Sequence, residues 1–386
     1  MIPVKNRLLT YIIIIMFAYI SASSMHMIFM GETMANNYNL YVTYLIFCGI
    51  CCFYSILNIN RNIFNGFTIS ILLYIVYFII RCLFDDKMLL SNATLSNCMW
   101  VIFAFTGFIL GYTNRMSNYR LISLIFIIFS SFFILPIIYR SLLSGVIYSI
   151  DGFFICLFIF PLIFLLKHTF LKGLFLILFI ILGIISGKRT IVILMILSLV
   201  IFLFQNIKEN PKKSIIGLSI AMILLFLNKN NPYLVHVFNR IMHISEDGGS
   251  GRIRIYQTVW KSFDSFSSQD ILFGKGRFSV MELCNVDAHM DFLQILHSLG
   301  ILGLLLYCLI YFKAFKLVLR QRKLFDDEAK QLYRISLITI LTTLFSAYSN
   351  CLIFNPLIIS PAIFIFCYVL GIVHGYQKNA QVRKII

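Results

Sequence analysis

Apolar runs near the roughly 20 residues a helix needs to cross a bilayer recur along the whole chain. They fall at 8–29, 40–57, 67–84, 95–112, 121–139, 150–166, 173–186, 191–204, 214–227, 299–319, 332–348 and 356–374. In lipid such segments satisfy their own backbone amides only as helices. The expectation is an all-α polytopic membrane protein of about 12 transmembrane helices. Residues 1–386 then form a single integral membrane domain, with no soluble second domain and no clear internal repeat. Composition agrees: 12% of residues are charged, where a soluble domain carries about 25%. Lys5 and Arg7 precede the first run. No small-residue cleavage site follows, so it reads as an uncleaved span. The seventh and eighth runs are short and divided only by Gly187, Lys188 and Arg189. They read as two spans, as one kinked hairpin or as half-helices.

One long polar stretch breaks the pattern. Residues 229–289, between the ninth and tenth spans, form a large loop. Within it Ile253, Tyr256, Val259, Trp260 and Phe263 recur at helical spacing, predicting a short amphipathic helix on the membrane over 252–265. Gly248, Gly249 and Gly251 give it a flexible entry, and Phe273-Gly-Lys-Gly276 a tight turn.

Charge placement sets the expected orientation. With both termini cytoplasmic, the inner segments hold 20 of the 32 basic residues and 4 of the 15 acidic ones. That is the positive-inside pattern, and it puts the long loop outside, in the periplasm of a bacterial inner membrane. The formal charge of +17 is dispersed over loop ends, with no soluble domain to carry a nucleic-acid site, so nucleic acid is excluded as a partner. The lipid bilayer is the expected surrounding.

The cysteines predict packing. Cys48 and Cys51 form a C-x-x-C inside an apolar run with no histidine near, and Cys284 is alone in the long loop. Asp85-Asp86 and Glu32 lie in expected outer loops without His or Cys at ligand spacing, so neither metal nor cofactor is expected. No phosphate-binding Gly-rich loop and no G-x-S-x-G elbow is present.

Cations placed against the inside rule need a reason. Arg189, Arg252, Arg254 and Arg277 fall on the outer side. A guanidinium offers a charged planar fork that suits phosphate oxygens; the alternative is headgroup contact or snorkelling. Lys188, Lys261 and Lys275 are weaker candidates. His289 sits where the loop turns into the tenth span, with Asp287 and Asp291 close in sequence. A neutral imidazole there can take a proton from a sugar hydroxyl near pH 7. His236, His243 and His297 compete with it, and His297 is expected on a similar face, two helical turns further on.

Three local blocks carry a resemblance. They are SGKRT at 186–190, GSGRIRIYQTVW at 249–260, and ILFGKGRF at 271–278 followed by AHMDFLQILHSLGILGLLL at 288–306. In order and spacing the chain resembles the superfamily of O-antigen polymerases and O-antigen ligases, integral membrane glycosyltransferases. The resemblance implies that Arg189, Arg252 and Arg277 bind the pyrophosphate of an undecaprenyl-pyrophosphate-linked oligosaccharide, with Arg254 a second candidate beside Arg252. It implies that His289 is the catalytic residue activating the acceptor, that the product is a surface polysaccharide of O-antigen type, and that a chain-length regulator protein is a partner. The sequence departs from the pattern at Met290, where an Asn is common, and at 297–299, where the family often carries a Glu. A polymerase is favoured. A ligase transferring finished polymer to a lipid A core is the close rival. A lipid-linked sugar flippase, and a metal-dependent transferase using Glu32 as base, are more distant ones.

Overall fold

The computed structural model describes residues 9–17, 19, 38–84, 92–113, 119–128, 131, 154–185, 251–321, 326–349 and 356–385, with scattered positions between 192 and 243. These residues are all-α. The elements are α1 (Tyr38–Asn58), α2 (Gly66–Leu83), α3 (Asn92–Thr113), α4 (Phe154–Ile163), α5 (Thr169–Ile185), α6 (Arg252–Ser262), α7 (Ser268–Phe273), α8 (Ser279–Cys284), α9 (Asp291–Gln321), α10 (Asp327–Ser349) and α11 (Pro356–Ile385). Among the described residues α2, α9 and α10 are long and apolar enough to cross a membrane. Most of the first expected span, the whole ninth but for Ser219, and the Gly187–Arg189 connection lie outside the described residues.

The centre of the fold is α11, packed along α3. Gly107 and Gly111 on α3 lie one turn apart, as do Gly371 and Gly375 on α11. A methyl group at Gly107 would stand 2.3 Å from the Phe364 carbonyl oxygen, and one at Gly111 2.1 Å from that of Tyr368. The reverse holds for Gly371, 2.2 Å from the Phe108 oxygen, and Gly375, 2.9 Å from that of Tyr112. The partners rise together in number, so the helices run parallel with their backbones touching. Small-xxx-small pairs permit this approach, which dispersion then stabilises in lipid. From Ala362 to Tyr376 every residue of α11 is buried. Phe17 stacks on Phe364 at 4.6 Å, Phe126 meets Tyr368 at 5.7 Å, and the Tyr368 hydroxyl donates to the Tyr119 carbonyl. Around this hub α1 packs on α3 through Tyr44, Phe47 and Phe103, and Ser55 meets Thr106.

The two ends of the bundle are built from different contacts. At one end Lys313 lies over Gly66, Arg120 pairs with Glu328, and His374 is bonded to the Asn62 carbonyl. At the other, Arg81 and Tyr77 of α2 donate to the carbonyls of Gly274 and Leu299. The polar insert 251–290 is therefore docked at the end opposite Lys313, Arg120 and His374.

Helix α9 is two helices. Gly300 has φ 70° and ψ −171°, outside any helical conformation. The fully buried Asp291 accepts a 2.9 Å bond from the Tyr307 hydroxyl, and the Phe292 and Tyr307 rings are 5.7 Å apart. On one straight helix those residues would stand about 24 Å apart along the axis. The limb 291–299 therefore folds back sharply beside the limb 301–321, which is about 31 Å long and matches the bilayer core. Expected span edges agree closely for α1 and α2. Helix α11 runs eleven residues past the expected end at 374, and α10 starts at Asp327 rather than 332, where Asp326 accepts from the Ala329 N–H and caps it.

Gly111→Ala should lower the melting temperature in detergent by the equivalent of about 1–3 kcal/mol or more, because backbone cannot retreat from the methyl. Gly49→Ala, with nothing within 4 Å of the new methyl, should be neutral or raise it by up to about 1 kcal/mol through helix propensity. Equal melting of the two variants would show that α3 and α11 do not touch.

Candidate functional site

The insert is fastened at two places. The first is a seam between the turn after α7 and the bend of α9. The Lys275 and Gly276 N–H groups donate to the His297 and Ser298 carbonyls, both at 3.0 Å. Gly274 and Gly300 both have positive φ, and each faces the other segment's backbone, at 2.3 Å from a built methyl. Only glycine fits either position, for conformation and for space. The second is a small separate core of Val259 on α6, Val280 on α8, Ala288 and Leu293. The Ala288 N–H donates to Gln294 Oε1 at 2.7 Å. With Ala288 pinned inward, Asp287 and His289 on either side are carried at fixed positions. His289 has φ 54°, left-handed for a non-glycine residue. Such backbone persists only where its surroundings enforce it, and it recurs at functional sites.

Three of the expected residues gather around this point. Burial pushes the Asp287 carboxyl up from its ordinary pKa, while His289 and Arg277 beside it pull it down. Arg277 is 7% exposed, and its guanidinium lies over the Phe278 ring at 5.0 Å. Arg252 heads α6 and donates to the Ser349 carbonyl at the end of α10. One turn on, Tyr256 approaches with its hydroxyl 3.5 Å from the His289 carbonyl. Burial raises that phenol's pKa and the Arg252 charge opposes the rise. Arg252, Tyr256, His289, Asp287 and Arg277 thus form one chain of neighbours drawn from α6, the turn before α8 and the entry to α9.

The remaining candidates go elsewhere. Arg254 is exposed and its carbonyl accepts from Thr258 on an outer face of α6. Lys261 and His243 are exposed. Arg189, Lys188, His236, Glu32 and Asp85-Asp86 lie outside the described residues. His297 shares no face with His289, because His289 precedes the helix. It is buried, with Ser262 Oγ 2.9 Å from Nε2 and Ser279 Oγ 2.8 Å from Nδ1. Both ring nitrogens are engaged by hydroxyls, which makes it a bracing histidine between α6, α8 and α9. The predicted amphipathic helix exists as α6, with a 3-10 turn over Phe263–Ser265. Its apolar residues divide: Tyr256, Val259 and Phe263 face the small core, while Ile253 and Trp260 are 50% and 58% exposed.

Sequence reasoning missed Tyr256 as a site residue, although its four-residue spacing from Arg252 puts both on one helical face. It also missed Arg81 and Tyr77, whose role depends on the seam. The arrangement combines two guanidiniums, an imidazole and a carboxylate that can orient it and stabilise an imidazolium. It can therefore hold an anionic group and take up a proton. No protein-family model matches the chain, and no curated protein matches it either.

Because the folded carboxyl of Asp287 titrates above its ordinary 3.8, the stability it contributes is complete below about pH 3.8 and is lost as pH rises through the raised value. Asp287→Asn should therefore gain in melting temperature relative to wild type as pH goes from about 4 to about 7. A constant difference across that range would mean the carboxyl is solvated.

Proposed function

We propose that the chain is a glycosyltransferase polymerising undecaprenyl-pyrophosphate-linked repeat units into O-antigen or a similar surface polysaccharide. The observation that carries the reading is the half-buried Asp287 carboxyl flanked by Arg277 and His289. The finer topology belongs to the same proposal: about 12 spans, both termini cytoplasmic, and the insert at the outer face of a bacterial inner membrane.

In this reading Arg277 and Arg252 bind the pyrophosphate of the donor, joined by Arg189 and, in the outer position, Arg254. An acceptor hydroxyl attacks the anomeric carbon of the donor sugar. The new C–O bond forms as the bond to the pyrophosphate oxygen breaks, and that electron pair leaves with undecaprenyl pyrophosphate. The hydroxyl proton passes to the His289 imidazole, and Asp287 stabilises the imidazolium. The guanidiniums offset the charge building on the leaving group, the electrostatic contribution on which such a site depends.

Glycine adopts the left-handed backbone of residue 289 without strain. His289→Gly should keep the wild-type melting temperature yet abolish long-chain polysaccharide in cells, and Arg277→Ala should abolish it with protein still in the membrane. Wild-type chain length in either variant removes that residue from the mechanism. Deletion of the gene should leave a single repeat unit on the acceptor lipid; none at all would assign the chain to the ligases.

A further inference from the structure

A concave site is lined by the turn after α7, which also leads to Arg277. An open cavity of about 800 Å³ separates the end of α2 from the insert, within the roughly 300–1,000 Å³ of small-ligand sites. Arg81, Phe84, Ser265, Asp270, Lys275 and Glu282 line it. Its back wall is His297 held between Ser262 and Ser279, a braced surface that needs no rearrangement to accept a ligand.

We infer that this cavity binds a glycan, the lipid-linked acceptor repeat unit of the polymerase reading on which the inference rests. The wall carries both signs. Arg81 and Lys275 donate, while Asp270 and Glu282 accept. A bare anion would meet two carboxylates and a bare cation two cations; a polyhydroxylated ligand, whose hydroxyls both donate and accept, is complementary to the whole set. Phe84 is 78% exposed at the edge. Its ring face attracts the weakly positive C–H groups of a pyranose. Lys275 is held over the Phe266 ring at 4.4 Å and 3.3 Å from Ser265 Oγ, so its ammonium is already oriented. The placement suits a chain end. Lys275 faces the cavity, whereas Arg277, two residues on, lies beside Asp287. In this inference a glycan seated in the cavity extends past the turn at Lys275–Arg277 to present a hydroxyl to His289.

The test is photo-crosslinking in cells making their own polysaccharide. A benzophenone amino acid replaces Ser265, or exposed Gln257 on α6 as control, in the full-length chain. Irradiation should give a discrete, periodate-reactive oligosaccharide adduct at position 265 and none at 257, and Glu282→Gln with Lys275→Gln should remove it. No adduct at 265, equal labelling at 257, or an adduct with the mass of a phospholipid overturns the inference. The two readings separate cleanly. A glycan adduct at 265 in cells whose polysaccharide survives deletion of the gene keeps the cavity and discards the polymerase. Polysaccharide lost on deletion, with no adduct at 265, keeps the polymerase and discards the cavity.

Discussion

Two helix backbones in direct contact organise the molecule. Lipid tails are as apolar as leucine, so burial alone does not hold helices together inside a bilayer. What remains is packing, and packing is strongest where backbones approach with nothing between them. Gly107, Gly111, Gly371 and Gly375 supply that approach between α3 and α11. The backbone carbonyls of Phe108, Phe364 and Tyr368 stand against the glycines of the facing helix, and the buried rings of those residues pack beside the contact. Helices α1, α4, α9 and α10 pack around this pair, and α2 meets it through Phe67, whose ring lies beside Phe108 and Phe366.

The insert depends on a second contact of the same kind. Gly274 lies against the backbone of Ser298 and Leu299 and Gly300 against that of Leu272 and Phe273, and the bend at Gly300 lets one limb of α9 belong to the insert and the other to the bundle. Tyr77, Arg81 and the Asp291–Tyr307 bond hold the two limbs in that relation. The position of His289 is thus set by the bundle, through Asp291 two residues away and through Gln294 on the same limb.

Much of this was legible in the sequence, because its main signals are local. Apolar runs located α1, α2, α3 and α10 to within a few residues. Periodicity located α6, and the spacing of Gly274 and Gly276 located a turn. The bend in α9 was not legible as a bend: L-G-I-L-G inside an apolar run is also a plausible helix, and only the partner at Gly274 makes the break favourable. Arg252, Arg277 and His289 were singled out from their positions and from a resemblance; Tyr256, which stands between Arg252 and the His289 carbonyl, and the cavity with Arg81 required distances that no single segment encodes. The glycine pairs on α3 and α11 were visible as spacing, but spacing does not say which helix lies opposite.

The burial of α11 on all sides has a consequence for how the protein is made. Every helix that α11 touches precedes it in the chain. As the polypeptide leaves the ribosome, α3, α4, α9 and α10 enter the bilayer with their future contact surfaces facing lipid or one another. The hub arrives after all of them and must slide in beside α3 between elements already inserted. Assembly therefore closes late and over long sequence separations, a regime in which folding is slow and incomplete forms are exposed to mispairing.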